Sequence, residues 1–453
     1  MNPNLMDNIV DVILGTAYDR LNDAVKQHTK LVLLDWIGCA LAGSAYPKAR
    51  SLMRLVRRLG GSSESTVIGT DIKTSPPLAA LANGFAGHVM ELDDMHGGAL
   101  MHPAAPVVPA ALAMAESLDA RGSDLMLATV IGYEVESRLG MAVNPSHYRF
   151  WHTTGTCGTF GALAAAGKLL SLSRDELVNA LGIAGTLASG LVVTFGTDAK
   201  YLNPAHAAMS GIVAALLARE GFSGPEDILD SDRGFLKVTS DKVDASAVVG
   251  GTEERFEILN NTFKLHASCG HTHAGVDAVL HLRSRHGLTP GNVEKILVRT
   301  YPIAIELTGR NYEPRTMHEA MFSYPYCVAT ALKYGKVSLN EFSEEKLKDE
   351  ELLGLAKKVL LEIEPEYAGV GLGKAKVIVH MKDGKTVSHT VEALRGSPQN
   401  PAGVEDVTAK FKDLARIVLP EETVARIAGL VSGLDGLSDV RELTQELATT
   451  SKG

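Results

Sequence analysis

Only four cysteines occur in 453 residues, at Cys39, Cys157, Cys269 and Cys327, widely separated and with no CxxC pair. That excludes a small disulfide-stapled module and points to a reduced, cytosolic setting. A basic excess is also missing. The net charge of −9 argues against non-specific nucleic-acid binding, while leaving room for a locally cationic pocket that takes an acidic substrate. No apolar run reaches the ~18 residues of a membrane span. The first residues carry Asp7 and Asp11 and no basic stretch, so they do not read as a signal peptide. The sequence has no Gly-rich nucleotide loop, no GxSxG elbow and no HExxH helix. Phosphoryl transfer, hydride transfer and serine hydrolysis therefore lose ground.

Apolar residues reach 45% and charged residues 21%, an ordinary globular composition. Aromatics are only 5%, so small residues dominate, and such sequences pack helices closely. Apolar spacing of three and four predicts helices over 20–43, 104–119, 122–140, 155–171, 175–190 and 205–220. Strand composition follows at 295–307 and 375–392, the latter folded at Asp383-Gly384, a pair that favours a type I′ hairpin turn. Between these strands, 322–335 and 342–359 read as helices, and 404–419 and 421–434 return to helix. The expected class is mainly α. A large all-helical domain is built from both chain ends, 1–265 and 395–453, with a smaller α+β domain over 266–394.

Five segments carry residues suited to chemistry. His88-Val-Met-Glu91-Leu-Asp93-Asp94-Met-His96 runs on to His102-Pro103 and reads as a polar loop before a helix. His102 would sit at that helix's N-terminus, where anions are favoured. The bland alternative is loop capping. A metal set of Asp93, Asp94, His96 and His102 is a third option, although its spacing matches no metal motif. In Tyr148-Arg-Phe-Trp151-His152-Thr153-Thr154, His152 precedes a helix capped by Thr153 or Thr154, and the dipole there would favour its neutral form. Lys200 lies in a Gly/Thr loop before a helix. Cys269-Gly-His271-Thr-His273 again puts a histidine at a helix start, and Tyr326 stands near another, either as a donor or as an aromatic anchor. Singly each is weak. Together they repeat one device, a donor at a helix N-terminus, which suits a substrate with several carboxylates and an enolate-like transition state.

At these residues the chain resembles the MmgE/PrpD family. The landmarks are ELDDMHGGALMHPAAPVVPAALAMAE, WHTTGTCGTFGALAAAGKLL, FGTDAKYLNPAHAAMSGIVAALLAREGFSGP, FKLHASCGHTHAGVDA, MFSYPYCVATAL and RGSPQNP, in the family's order. The resemblance implies a helical domain plus an α+β lid with the active site between them, a homodimer, and no metal or organic cofactor. It implies a site of Asp93, His102, His152, Lys200, His273 and Tyr326, with Thr154 among the substrate contacts. The segment from Tyr201 to His206 departs from the Pro-Leu-His of many relatives. The implied activity is that of a lyase on a small di- or tricarboxylate. The first choice is a 2-methylcitrate dehydratase type. The alternatives are a cis-aconitate-type decarboxylase, an iminodisuccinate-type epimerase using Lys200 and Tyr148, or a non-catalytic carboxylate-binding protein. Partners are limited to the substrate and a second copy, with no nucleic acid and no membrane. On this reading, Lys200→Ala loses at least ~100-fold in kcat with its melting temperature unchanged, and Lys168 is an inert control.

Overall fold

The computed structural model describes residues 5–249, 256–367 and 373–449. It is mainly α, with 60% helix and 9% strand. Two compact units emerge, Met1–Phe263 with Gly403–Gly453, and Lys264–Ala402.

The first unit is a helical bundle. In chain order it contains α1 (Leu5–Gly15), α2 (Asp23–Ser44), α3 (Pro47–Leu59), α4 (Pro76–His88), α5 (Ala104–Ser117), α6 (Gly122–Val143), α7 (Thr153–Leu169), α8 (Arg174–Leu187), α9 (Asp198–Arg219) and the short α10 (Phe235–Thr239). Asn22 caps α2 by accepting the Val25 N–H at 3.0 Å, so the helix starts at Asp23, and residues 18–20 form a separate turn. A Ser173–Glu176 capping box opens α8. Every residue from Thr153 to Gly167 in α7 is buried, and α7 packs on α5, α6, α8 and α9. By length and composition α9 is apolar enough to cross a membrane. Here α4, α5, α7 and α8 cover it as a core helix.

α9 also corrects an expectation, because it begins at Asp198 rather than near 205. Pro204 reads as a helix start, but it sits inside the helix and contributes no N–H to the ladder. Lys200 is therefore a first-turn helical residue, not a loop residue.

The second unit is α+β. It runs α11 (His273–His286), β1 (Val293–Thr300), α12 (Pro302–Thr308), α13 (Met317–Met321), α14 (Tyr324–Tyr334), α15 (Glu344–Leu347), α16 (Glu350–Ala356), β2 (Val359–Ile363), β3 (Ala375–Met381) and β4 (Thr386–Val391). The sheet order is β2-β1-β3-β4, parallel between β1 and β2 and antiparallel elsewhere. Three expectations change. The strand read over 295–307 stops at Thr300, since Pro302 opens α12 and could not donate to a ladder. The helix read over 342–359 breaks at Asp349, whose side chain accepts the Leu352 N–H at 3.1 Å and caps α16, and the chain then enters β2. At the β3–β4 turn the Lys385 carbonyl accepts the Met381 N–H at 2.8 Å, and only Gly384 has positive φ, 85°. That is a three-residue loop, not the type I′ turn, which needs two such residues. The chain ends in the first unit with α17 (Val404–Ala415), α18 (Glu421–Ser432) and α19 (Arg441–Leu447).

Lys168 is not idle. Its Nζ donates to the carbonyls of Ile13 at 2.8 Å, Leu14 at 3.3 Å and Thr16 at 2.8 Å, tying down the end of α1. Lys382, exposed in the β3–β4 loop, is the neutral control instead.

Glu136 on α6 is wholly buried, and neither carboxyl oxygen has a hydrogen-bond partner. Glycines on α7 make its space, since a Cβ on Gly161 would lie 2.6 Å from Oε2. Burial first, and then the charge of Asp94, push its pKa well above the ordinary 4.5. A raised folded-state pKa means that its stability is intact below the unfolded value and is lost as pH rises towards the folded one. Glu136→Gln is expected to melt with the parent near about pH 4 and increasingly above it towards about pH 8. Thermal scans across that range check this, and a pH-independent difference would show the carboxyl is not neutral in the fold.

Candidate functional site

Residues 89–103 join α4 to α5. This stretch is not a solvated loop, because Glu91, Asp93 and Asp94 are 2%, 0% and 1% exposed. Ionised groups so buried must be paired or hydrogen-bonded. Asp94 meets that demand three times. Its carboxylate accepts the Ala104 N–H at 3.0 Å, the Tyr133 hydroxyl at 2.7 Å and the Asn261 amide at 2.8 Å. Burial still raises its pKa. Asp94 thus anchors the loop to α5 and α6. His96 turns away as well, to Glu257 at 3.1 Å.

The remaining acids face histidines. Nδ1 of His88, the last residue of α4, lies 2.7 Å from Oδ2 of Asp93, and its Nε2 has no hydrogen-bond partner although it is buried. His102 donates from Nδ1 to the Asp94 carbonyl at 2.7 Å, and in the neutral ring this leaves the lone pair on Nε2. Its own N–H donates to Thr154 Oγ1 at 3.1 Å, so Thr154 braces His102 from α7. His88, Asp93 and His102 bring one ligand atom each within 4.8 Å of one another. Of the four residues first considered as a metal set, only Asp93 and His102 belong to this group, since Asp94 and His96 are committed elsewhere.

His152 is itself the N-cap of α7, in place of Thr153 or Thr154. Asn203 Nδ2 donates to its Nδ1 at 3.2 Å, which places the ring hydrogen on Nε2. Its pKa lies well below the ordinary 6.5. Burial is the main cause, followed by the repulsion that its charged form would meet from His88, Lys200 and His102. The sequence-based expectation of a neutral ring has the right direction, but it credited the helix dipole.

Lys200, 5% exposed, pairs with Glu91, and its Nζ lies 5.3 Å from the Phe195 ring and 5.5 Å from Tyr201. Glu91 adopts φ 55°, uncommon for a residue with a side chain. The His88 ring centre lies 4.9 Å from that of His102, 6.0 Å from His152 and 5.7 Å from Tyr201. Asp93, His102, His152 and Lys200 therefore gather around His88, with Glu91 and Asn203 completing the group. Tyr148 stands against Phe195 at its edge, 6.2 Å between rings. Sequence reasoning quoted His88 and Glu91 without choosing them. It passed over Asn203, although that residue lies in the departing segment.

In the second unit, His273 opens α11 and contacts the Ser268 carbonyl at 3.2 Å. His266 lies beside it, 5.1 Å between rings, and bonds Asp277 at 2.7 Å. Lys264 is also buried. None of these three companions was chosen from sequence. His271 contacts Tyr301 at 2.8 Å, and burial, then Lys264, lower its pKa to about 4. Tyr326 is fully buried, its hydroxyl donates to the Glu341 carbonyl at 3.4 Å, and its ring lies 6.0 Å from Phe342. That is the geometry of the aromatic anchor.

Residues 7–247 match the MmgE/PrpD N-terminal domain, and residues 266–435 match the MmgE/PrpD C-terminal domain. The chain belongs to the MmgE/PrpD family. Among curated MmgE/PrpD relatives, the human cis-aconitate decarboxylase is 30% identical over 98% of this chain and 94% of its own length. A cis-aconitate decarboxylase of Aspergillus terreus is 29% identical over 95% and 93%. The 2-methylcitrate dehydratase of Salmonella typhimurium is 21% identical over 92% of each.

The Lys200–Glu91 pair overturns the expectation that Lys200→Ala leaves stability untouched. Stranding a buried carboxylate costs about 3–5 kcal/mol. Lys200→Ala is expected to lose at least ~100-fold in kcat and to melt lower. Lys200→Ala with Glu91→Ala is expected to regain melting temperature without regaining kcat. Lys382→Ala should match the parent in both. Kinetics and thermal scans check this, and a double variant with near-parent kcat would show that the lysine is not part of the chemistry.

Proposed function

We propose that this protein is a lyase that removes CO2 or a proton next to a carboxylate of a small tricarboxylate, using its own side chains without a cofactor. The observation that carries the reading is a buried cation, Lys200, set beside a histidine held neutral, His152. The relatives support the substrate class. They also move decarboxylation ahead of dehydration, since those named for it are nearer in sequence than those named for dehydration.

In decarboxylation, the carbon–carbon bond to the departing carboxylate breaks, CO2 leaves, and the electron pair stays on the adjoining carbon. Lys200 and the His152 Nε2–H supply positive charge and a donor to the enolate-type anion, help that is strongest in the transition state. His102 and His88 have ring nitrogens able to carry a proton to carbon, and Asp93 orients His88. In dehydration, one such nitrogen takes the carbon-bound proton, and a protonated group hands one to the departing hydroxyl. His273, in the second unit, is named on its motif alone, and the His266–Asp277 dyad stands beside it there. Tyr326 is likewise named on its motif alone, its hydroxyl turned to the Glu341 carbonyl. We also propose a homodimer, on the family resemblance; a monomer by sedimentation at micromolar concentration would end that part.

The test incubates purified protein with cis-aconitate, citrate, 2-methylcitrate and iminodisuccinate in deuterium oxide with EDTA, followed by NMR. Turnover of a tricarboxylate, with deuterium placed on carbon after CO2 loss or with a new alkene after water loss, is expected. Exchange without a new product would make the protein an isomerase of the epimerase type. No turnover of any acid would leave a carboxylate-binding protein.

A further inference from the structure

Lys410, on α17, lies 318 positions from the loop it touches. Its ammonium group is almost wholly buried, and it donates to the Leu92 carbonyl at 2.6 Å, one residue before Asp93. A second contact runs to Oδ1 of Asp35 on α2, at 2.7 Å. One ammonium group serves two partners, a hydrogen bond to the Leu92 carbonyl and an ion pair with Asp35. Burial pushes the Asp35 carboxyl up to about 6 despite the lysine, with smaller contributions from Asp94 and Asp93. Lys410 is thus a buried cation among three buried acids, joined to the backbone of the loop as well as to its ion-pair partner.

We propose that Lys410 is a positioning residue for the reaction. By fixing the Leu92 carbonyl, it sets where Asp93 and the His88 and His102 rings stand. The inference rests on the lyase reading, because turnover is what it controls. The physical reason is local. Asp94 fixes the loop at one end through three hydrogen bonds, but it cannot fix the backbone on the far side of Asp93. That stretch includes Glu91, in a left-handed conformation that costs about 1–3 kcal/mol and persists only where neighbours hold it. Lys200 holds the Glu91 side chain, and Lys410 adds a hold on the backbone at Leu92. A displacement of about 1 Å at a reacting group can cost on the order of 100-fold in rate.

A merely structural role makes a different forecast. If Lys410 only neutralises Asp35, removing both charges together should restore everything, since a buried ion pair replaced by apolar residues is often neutral or stabilising. The experiment compares Lys410→Met, Asp35→Asn, and Asp35→Leu with Lys410→Met, in the full-length protein on whichever tricarboxylate the parent turns over. Lys410→Met is expected to lose melting temperature and kcat. The double variant should regain melting temperature, while kcat stays down ~10-fold or more with KM altered less. Asp35→Asn, which keeps the Leu92 bond, should retain most of its kcat even if it melts lower. Full kcat in the double variant would overturn the proposal. So would a kcat loss in Asp35→Asn equal to that of Lys410→Met, a comparison that stands even if the double variant fails to fold. A parent with no turnover would instead strike the lyase reading itself.

Discussion

Charge taken out of water must find a partner, and this requirement shapes the first unit more than any other. Glu91, Asp93 and Asp94 are buried within four residues of one another. Asp94 is satisfied by Ala104, Tyr133 and Asn261, Asp93 by His88, and Glu91 by Lys200. Each partner comes from a different stretch of chain, so pairing the acids fixes the position of α4, α5, α6 and α9 around one loop. Apolar packing could hold such helices together in several registers. The buried polar contacts are directional and leave fewer.

The same pairing prepares the chemistry. Nδ1 of His88, His102 and His152 is already engaged, by Asp93, by the Asp94 carbonyl and by Asn203. The opposite nitrogens are then defined before any substrate arrives, which is the form in which a histidine serves as base or donor. The nearness of Lys200, His88 and His102 adds to burial in keeping His152 neutral. Stability and reactivity here come from one network, and a change to one member is felt by both.

Much of the fold could be read from residue spacing. Small and apolar residues at helical intervals marked α2 and α5 to α9, and the change in composition after 260 marked the α+β unit. Errors fell where one residue admits two roles. Pro204 usually starts a helix, yet it lies inside α9 and so hid the helical position of Lys200. Asp349 caps a second short helix within a continuous charged run. The apolar run at 359–363 is short enough for either strand or helix, and only its pairing with β1 decides. In the site, motif order located Asp93, His102, His152 and Lys200. The identities of their partners were not legible. Glu91 and Asn203 matter because of what they touch, and Lys410 and Lys168 reach targets more than 150 positions away, a distance at which no local pattern operates.

The account turns on His152 being a neutral, Nε2-protonated ring beside a buried cation, poised to meet a carboxylate. Nitrogen NMR of labelled protein, with His152 assigned by comparison with His152→Asn, measures this directly, alone and with a non-reacting tricarboxylate. The expected spectrum shows the neutral Nε2–H form throughout the neutral range, well below its ordinary protonation pH as well, and a shift of that signal when the tricarboxylate is added. A His152 that titrates like an exposed histidine, and whose signal ignores the tricarboxylate, would contradict the account.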